Sequence, residues 1–253
     1  MSSIGHSAAV ALAREGANVV VTGTGRSHDS YPDNEKKAGW RDIESVAEEV
    51  RSIGVKALPL VSDVRDDNAV RRMIDSTVSE FGRVDILVNN AAAARGNDRV
   101  AIVDLEDDLW RKVVDINLTG IYLASKYAAI QMIKQGNGGR IVMVSSVAGR
   151  RTAPNTAAYA VTKTALTALN RHLAIELAAH KINVNCVSPG LTDTYRMEDV
   201  VANPEAMGSL RIPMERAGTS EEMADAILFF AGPRSDYVTG QNINVDGGMV
   251  MDI

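Results

Sequence analysis

Short apolar runs alternate with longer segments of helical periodicity along most of the chain. The short runs are rich in β-branched residues and cover residues 18–22, 57–61, 84–88, 140–144, 182–187 and 241–245. Between them, apolar residues recur with helical spacing over residues 40–52, 68–81, 105–134, 156–180 and 221–230. Strands that alternate with helices in this way predict a parallel sheet covered by helices on both faces.

This alternation continues to the end of the chain without an internal repeat or a low-complexity linker. A length of 253 residues suits one α/β domain. Right-handed crossovers would give a doubly wound, Rossmann-like sheet whose ligand site lies at the carboxyl ends of the strands. We therefore predict a single α/β domain over residues 1–253.

Composition and charge mainly exclude classes of partner. A net charge of -5 gives no electrostatic reason to expect nucleic acid or an anionic membrane surface. Cys186 is the only cysteine, so neither an intrachain disulfide nor a cysteine-based metal cluster can form. The chain has no apolar run long enough for a membrane span and no signal-peptide pattern at its start. We expect a cytoplasmic protein with no nucleic-acid, membrane or metal partner.

Two polar segments after strands are predicted to be loops. Residues 23–39 contain Gly25 and Pro32, and residues 192–213 contain Pro204 and Gly208. Loops at the strand ends of this fold usually carry function. A tolerated surface insertion is the alternative for each of them.

The strongest chemical signal is Tyr159 with Lys163, preceded by Ser146. The tyrosine and lysine are four residues apart in a predicted helix, so they lie on one face, one turn apart. A neighbouring ammonium lowers the pKa of a phenol, and a phenol tuned in this way exchanges a proton with a substrate oxygen. A Tyr-x-x-x-Lys pair alone occurs on many surface helices by chance. Its position after Ser146, a serine at a predicted strand end, favours catalysis.

Further motifs occur in a fixed order around these residues. They are Asp63-Val64, Leu87-Val-Asn-Asn-Ala91, Asp115-Ile-Asn-Leu118, Ser145-Ser-Val-Ala-Gly149, Tyr159-Ala-Val-Thr-Lys163, Pro189-Gly-Leu-Thr-Asp-Thr194 and Thr239-Gly-Gln-Asn-Ile-Asn-Val-Asp-Gly-Gly248. Over residues 3–251 the chain resembles the short-chain dehydrogenase/reductase family, and in general character its 3-oxoacyl-carrier-protein reductases. The resemblance implies an NAD(P)-dependent oxidoreductase that interconverts a secondary alcohol and a ketone by hydride transfer.

The resemblance also implies a role for each residue of the site. Tyr159 would be the general acid/base, Lys163 would tune it and bind the nicotinamide ribose, and Ser146 would hold the substrate oxygen. Asn117 would anchor a water that leads protons toward Lys163. Cofactor contacts would come from Asp63 and Val64 at the adenine, Asn90 and Ala91 near the adenosine ribose, and Pro189, Gly190, Thr192 and Thr194 at the nicotinamide. Taken alone, Asn117 could be a local helix hydrogen-bonder, Asp63 a turn residue and Thr194 a helix cap.

The beginning of the chain departs from the family pattern. Family members start with a strand and the turn Thr-Gly-x-x-x-Gly-x-Gly, which brings backbone to the pyrophosphate at a helix N-terminus. Ser3, Ile4 and Gly5 correspond to the end of that turn, and the first strand has no counterpart. We expect Met1 to be an internal or artefactual start, with a strand and glycine turn upstream in the natural chain. The alternative is direct pairing of the runs at 18–22 and 84–88.

Cofactor choice depends on the end of the run at 18–22. Thr22, Gly23 and Thr24 occupy the place of the acidic residue that would select NAD by binding the ribose hydroxyls. Arg26 follows and could pair with the 2′-phosphate of NADP. We favour NADP over NAD.

Two rival functions and the substrate stay open. A catalytically impaired nucleotide-binding or scaffold protein would explain the incomplete glycine turn. An epimerase or dehydratase of the extended branch shares Tyr-x-x-x-Lys but is normally longer. The substrate would be a small-molecule alcohol or ketone, covered by an apolar wall of Met197, Val200, Val201, Met207 and Leu210.

Two long helical segments predict self-association. Residues 105–134 and 156–180 carry small or apolar residues on more than one face, including Ala124, Ala128, Ala165, Ala168 and Leu169. A helix that is apolar beyond one stripe needs a second surface to bury against. With the resemblance, this predicts a homotetramer that pairs these helices and the last strand near Val245.

Overall fold

The computed structural model describes residues 3–26, 29, 36 and 41–251. Three parts of the predictions lie outside the described residues. They are Met1, Trp40 at the start of the helix predicted over 40–52, and most of the loop predicted over 23–39.

The strands of the described residues follow the predicted apolar runs. They are β1 (Val19–Gly23), β2 (Ala57–Val61), β3 (Ile86–Asn89), β4 (Gly139–Val144), β5 (Ile182–Pro189), β6 (Thr192–Asp193), β7 (Gly218–Thr219) and β8 (Asn242–Val245). Every pairing among them is parallel, in the orders β1-β2, β3-β4-β5-β8 and β6-β7. The prediction of a parallel α/β sheet is therefore confirmed.

The helices connect these strands in the expected alternation. They are α1 (Ile4–Arg14), α2 (Ile43–Ser52), α3 (Asp67–Phe81), α4 (Asp107–Val114), α5 (Gly120–Gln135), α6 (Ala157–Leu177), α7 (Glu198–Val201), α8 (Pro204–Ser209) and α9 (Ser220–Ala231). A π-turn over Asp115–Thr119 joins α4 to α5. Among the described helices, none combines the length and apolar character needed to cross a bilayer.

Helices cover both faces of the four-stranded sheet, because successive side chains of a strand point to opposite faces. Ile141 and Met143 of β4 pack in one cluster with α3, α5 and α6. Val142 and Val144, from the same strand, pack in another cluster with α1 and α9. The four residues are 0–5% exposed, so β4 lies at the centre of the core.

The sheet is interrupted between β1 and β3. In the described residues β1 pairs only with β2, and β3 pairs only with β4, so the alternative in which these two runs pair directly is wrong. Helix α1 joins the two parts: Ala9 and Ala13 pack against β1 and α2, while Ala8 packs in the core of the four-stranded sheet. The apolar residues of β1 and β3 are mostly only partly buried.

The structure corrects the predictions at four places. Helix α1 was not among the predicted helices, and the π-turn divides the single helix predicted over 105–134. The loop predicted over 192–213 contains β6, α7 and α8. Ala124 and Ala128 are 4% and 0% exposed in the chain's own core, so they need no second surface.

Candidate active site at the carboxyl ends of the strands

Tyr159 and Lys163 lie in the first two turns of α6, at the carboxyl end of β4. The Lys163 side chain is buried, with 2% of its surface exposed. Its Nζ donates a hydrogen bond to the carbonyl of Val144 at 2.8 Å and lies 5.6 Å from the centroid of the Tyr159 ring. The predicted pair is therefore brought together, with its ammonium oriented by the end of β4.

Ser146 stands at the start of a short 3-10 turn directly after β4. Its Oγ accepts a hydrogen bond from the Ala148 N–H at 3.1 Å and also bonds with the Tyr159 hydroxyl. The turn rests closely on α6, because a Cβ built at Gly149 would lie 2.9 Å from the carbonyl carbon of Lys163. Residue 149 must lack a side chain for Ser146 to reach the tyrosine.

The electrostatic surroundings of Tyr159 favour its phenolate. Burial acts to raise the pKa of Tyr159, but the Lys163 charge, the hydrogen bond from Ser146 and the charges of Arg196 and Arg99 together lower it below 10. Burial also lowers the pKa of Lys163, since its ammonium loses hydration. A half-buried phenol with a lowered pKa is the proton-transfer group that the sequence predicted.

Asn117 is fully buried within the π-turn, and its side chain holds neighbouring backbone in place. Its Oδ1 accepts a hydrogen bond from the Ala93 N–H at 2.7 Å, and its Nδ2 donates to Thr162 Oγ1 at 3.1 Å. These bonds fix the loop after β3 against α6 beside Tyr159. The role of Asn117 as a water anchor stays a prediction.

The start of α1 meets the end of β3 at the same edge of the sheet. A Cβ at Gly5 would lie 2.6 Å from Nδ2 of Asn90, so the backbone of Gly5 and the Asn90 side chain lie in close contact. Ser3 caps the helix, with its Oγ accepting from the His6 N–H at 3.3 Å. The side chain of Ile4 packs into the core, and the partly buried Ala91 follows Asn90. Backbone N–H groups at a helix start of this kind fit a pyrophosphate.

Asp63 and Val64 flank the same edge after β2. The carboxylate of Asp63 accepts hydrogen bonds from the Arg65 guanidinium and from the Arg65 N–H at 3.0 Å, and this arginine holds the pKa of Asp63 below its usual value. Val64 packs on Gly120, where a Cβ would lie 2.6 Å from Val64 Cγ2. The Asp63 carboxylate therefore has a protein partner already, and any adenine contact shares it with Arg65.

The four residues predicted to bind the nicotinamide lie at or just after the end of β5. Gly190 donates to the carbonyl of Val245 at 2.9 Å, and a Cβ there would lie 2.7 Å from Asp246 Cα. Thr192 Oγ1 donates to the carbonyl of Gly190 at 3.2 Å. Thr194 Oγ1 donates weakly, at 3.4 Å, to the carbonyl of Thr192. Pro189 is the last residue of β5, so all four predicted residues line one turn.

Comparison with known proteins identifies the fold. A family model described as enoyl-(acyl carrier protein) reductase matches residues 1–250. The 3-oxoacyl-[acyl-carrier-protein] reductase of Staphylococcus aureus is 35% identical over 248 residues, which cover 98% of this chain and 94% of that protein. The chain belongs to the short-chain dehydrogenase/reductase family. It is therefore an NAD(P)-dependent oxidoreductase.

Solved structures of the family superpose closely on this dehydrogenase/reductase. The structure of an NAD+-bound xylitol dehydrogenase matches with a TM-score of 0.83 and 32% identity, over 97% of this chain and 94% of that one. A 7α-hydroxysteroid dehydrogenase complexed with NADH and 7-oxo glycochenodeoxycholic acid matches with a TM-score of 0.85 and 28% identity, over 99% and 91%. The two matches thus cover nearly the whole of this chain.

One carboxylate of this dehydrogenase/reductase was not predicted from the sequence. Asp42 accepts hydrogen bonds from Arg26, at 3.1 Å to Oδ1 and 3.4 Å to Oδ2. It also stands beside Gly23 at the end of β1, where a Cβ would lie 3.6 Å from Asp42 Oδ2. Sixteen residues separate the pair, and no local pattern links them. A carboxylate therefore does occupy the end of β1.

Two arginines beside Tyr159 were also missed. The guanidinium carbon of Arg99 lies 4.4 Å from the centroid of the Tyr159 ring, and that of Arg196 lies 5.8 Å from it. They come from the loop after β3 and the turn after β6. In the loop predicted over 192–213, only apolar residues were predicted to line the site. Hydropathy does not indicate that the charged Arg196 also lies there.

Proposed function

We propose that this enzyme interconverts a secondary alcohol and a ketone, with Tyr159 as general acid/base. The observation that carries the proposal is the half-buried phenol bonded to Ser146, beside the buried ammonium of Lys163. A scaffold protein would gain nothing from burying an ammonium 5.6 Å from that ring. The rival interpretation as an impaired nucleotide-binding protein is not favoured by the family comparison either.

The nicotinamide, when bound, donates or accepts the hydride. In ketone reduction the Tyr159 hydroxyl donates its proton to the carbonyl oxygen, and Ser146 Oγ orients that oxygen by a hydrogen bond. Lys163 holds the pKa of the phenol down and binds the nicotinamide ribose through Nζ. Asn117 keeps the loop after β3 in register with α6 and anchors a water that reaches Lys163. Alcohol oxidation runs the same steps in reverse.

The cofactor would lie along the carboxyl edge from α1 to β5. We assign the pyrophosphate to the N–H groups of Ser3, Ile4 and Gly5, because they form the N-terminus of α1 beside Asn90. The other contacts would follow the cofactor along this edge. Arg26, Asp63 and Val64 would lie at the adenosine end, and Asn90 and Ala91 in the middle. The nicotinamide end would be held by Pro189, Gly190, Thr192, Thr194, Tyr159 and Lys163.

For the choice between NAD and NADP, the site supports NAD. The preference for NADP rested on an end of β1 without a carboxylate, and Asp42 supplies one. Asp42 can accept hydrogen bonds from ribose hydroxyls and would repel a 2′-phosphate. Arg26 already donates to Asp42, so a phosphate would compete for it. Two structural relatives were solved with NADH and with NAD+.

The assignment is tested by titrating both cofactors against Asp42→Ala and Arg26→Ala. We expect Asp42→Ala to weaken NADH binding and strengthen NADPH binding. Arg26→Ala would weaken NADPH binding selectively. If neither substitution alters the ratio of the two dissociation constants, the end of β1 does not select the cofactor.

We propose that the enzyme is a cytoplasmic homotetramer. After correction for Ala124 and Ala128, the supporting residues are exposed apolar side chains of α5 and α6. They are Tyr122, Ile130, Ile133, Val161 and Ile175, which are 39–79% exposed. An apolar surface of this kind on two neighbouring helices favours burial against another copy. Sedimentation velocity at micromolar concentration tests the proposal, and a monomeric mass would contradict it.

The activity itself is tested by turnover with a panel of secondary alcohols and ketones, each with NAD and NADP in the matching redox state. Activity on at least one pair, lost in Tyr159→Phe, supports the proposal. Activity that survives in Tyr159→Phe would place the proton transfer elsewhere.

A further inference from the structure

Three cationic side chains lie close to the ring of the catalytic tyrosine. Lys163 Nζ lies 5.6 Å from the centroid of the Tyr159 ring, and the guanidinium carbons of Arg99 and Arg196 lie at 4.4 and 5.8 Å. In the steps given above only Lys163 acts directly with the phenol. The two arginines help to lower the pKa of Tyr159 and have no contact with substrate or cofactor assigned to them.

Both arginines are held on loops that are tied to each other. Arg196 donates to the carbonyl of Ala93, in the loop that precedes Arg99. Arg95 Nη1 donates to both carboxylate oxygens of Asp199 at 2.7 Å, and so links the same two loops a second time. These contacts hold the Arg196 guanidinium and tie the loop that carries Arg99 to the segment that carries Arg196.

The charge of Arg99 is incompletely neutralised. Its side chain is 21% exposed, and its buried Nε has no hydrogen-bond acceptor among the residues that the structure describes. The oxygen Oδ2 of Asp98 lies 3.5 Å from that Nε, while Oδ1 of the same carboxylate accepts the Gly96 N–H at 3.2 Å. Burial lowers the pKa of Arg99, since its cation has lost more hydration than Asp98 restores. A buried charge is costly unless it is paired and hydrogen-bonded.

We infer that Arg99 and Arg196 bind an oxyanion group of the substrate, a carboxylate or a phosphoryl group within a few bonds of the reacting carbon. The inference rests on the proposed function, because it places the substrate carbonyl at the Tyr159 hydroxyl. The guanidiniums flank the ring that carries this hydroxyl, so a bound anion lies close to the reacting oxygen. Arginine recognises carboxylate and phosphate through its planar fork of N–H donors.

A simpler role for the arginines predicts a different substrate preference. Both charges help to lower the pKa of Tyr159, and this could be all that they do. In that case anionic and neutral ketones would react equally well, and removing an arginine would slow both to the same extent. If the arginines bind an anion, the anionic ketone is preferred, and the preference depends on them.

The test compares each anionic ketone with its neutral methyl ester. One pair is 3-oxobutanoate and its methyl ester, and the other is 2-oxopropylphosphonate and its dimethyl ester. We expect kcat/KM to be about tenfold or more higher for the anion of at least one pair, since hydrogen bonds to charged groups are the strong ones. The pair with the larger ratio distinguishes a carboxylate site from a phosphoryl site.

Three variants connect that ratio to the arginines. Arg99→Met and Arg196→Met should each lower the anion-to-ester ratio about threefold or more, while Arg99→Lys retains part of it. Arg171→Met is the matched control, because Arg171 is exposed on α6, twelve residues or roughly 18 Å along the helix from Tyr159. A change in the pKa of Tyr159 affects both members of a pair, so the ratio is free of it.

Equal kcat/KM for anion and ester in the wild type would overturn the inference, as would a ratio unchanged in both arginine variants. Failure of the proposed function is a separate result, in which no alcohol or ketone is turned over with either cofactor. Binding then decides, through the Tm of the enzyme with NAD and each probe. A rise with 3-oxobutanoate or 2-oxopropylphosphonate that exceeds the ester's, and is lost in Arg99→Met, supports the anion site. Equal shifts for anion and ester overturn it.

Discussion

The substitution Tyr159→Phe removes one oxygen from the site and leaves the remaining contacts of the ring. The phenyl ring would keep its position 4.4 Å from the guanidinium of Arg99 and 5.6 Å from Nζ of Lys163. The hydrogen bond with Ser146 is lost. Any large loss of turnover in this variant therefore reports on the hydroxyl itself.

The expected losses in stability and in catalysis differ in size. One hydrogen bond contributes about 0.5–1.5 kcal/mol to folding, and the Tyr159 side chain is only half-buried, so the free energy of unfolding should fall by about 1 kcal/mol or less. General acid/base catalysis contributes about 10²–10⁴-fold in rate. This corresponds to about 3–5 kcal/mol of transition-state stabilisation.

The assay measures three quantities on the same preparation. Initial rates are followed by nicotinamide absorbance, cofactor affinity by fluorescence titration, and the free energy of unfolding by urea denaturation. Tyr122→Phe is the matched control, since that tyrosine is 44% exposed on α5 and should retain full activity. Turnover above about a tenth of wild type in Tyr159→Phe would refute the assignment. So would a loss of stability large enough to account for the lost rate.

Other predictions follow from single contacts. Asn117→Ala should lower the free energy of unfolding by about 1–3 kcal/mol in urea, because the buried Ala93 N–H loses its acceptor; an unchanged midpoint would contradict this. Because the pKa of Tyr159 is lowered, kcat/KM for alcohol oxidation should rise with pH as the phenolate forms and level off at a pKa below 10. Reduction should fall through the same pKa, and parallel profiles for both directions would exclude the tyrosine. Thr219→Ala should cost about 1 kcal/mol in thermal unfolding, because its Oγ1 caps α9 by accepting the Glu222 N–H at 3.2 Å.

The features that the sequence predicted well depend on neighbours in the chain. The run at 57–61 coincides with β2. A short, continuous apolar segment between turns is typical of a buried strand, and it can be read from consecutive residues. Tyr159 and Lys163 needed only a helical spacing of four residues. The π-turn at Asp115–Thr119 escaped detection, since a slip of one residue hardly alters the average periodicity of a long helical segment.

The features that the sequence did not predict depend on contacts between distant segments. Asp42 contacts Arg26 although sixteen residues separate them, and Arg196 lies near Tyr159 although it is far from it in the chain. Neither contact can be predicted from hydropathy or from the spacing of residues. Helix α1 was not predicted for another reason. Its first residues match the end of a glycine motif, and this match hides the helical spacing of the apolar residues that follow.

The interruption of the sheet between β1 and β3 has a consequence for hydrogen exchange. The strands β1 and β2, with α2, connect to the rest of the described molecule mainly through α1, by packing and by contacts such as His6 Nε2 to Glu49 Oε2 at 2.7 Å. No ladder of backbone hydrogen bonds crosses from this unit to β3 within the described residues. Its amides should therefore exchange through a sub-global opening at lower free energy than those of β4 and β5. A dinucleotide that contacts both Gly5 and the end of β1 would fasten the two units together. Binding of the dinucleotide should therefore slow amide hydrogen exchange most strongly in β1 and β2. The effect should be far larger than in a protein whose sheet is continuous.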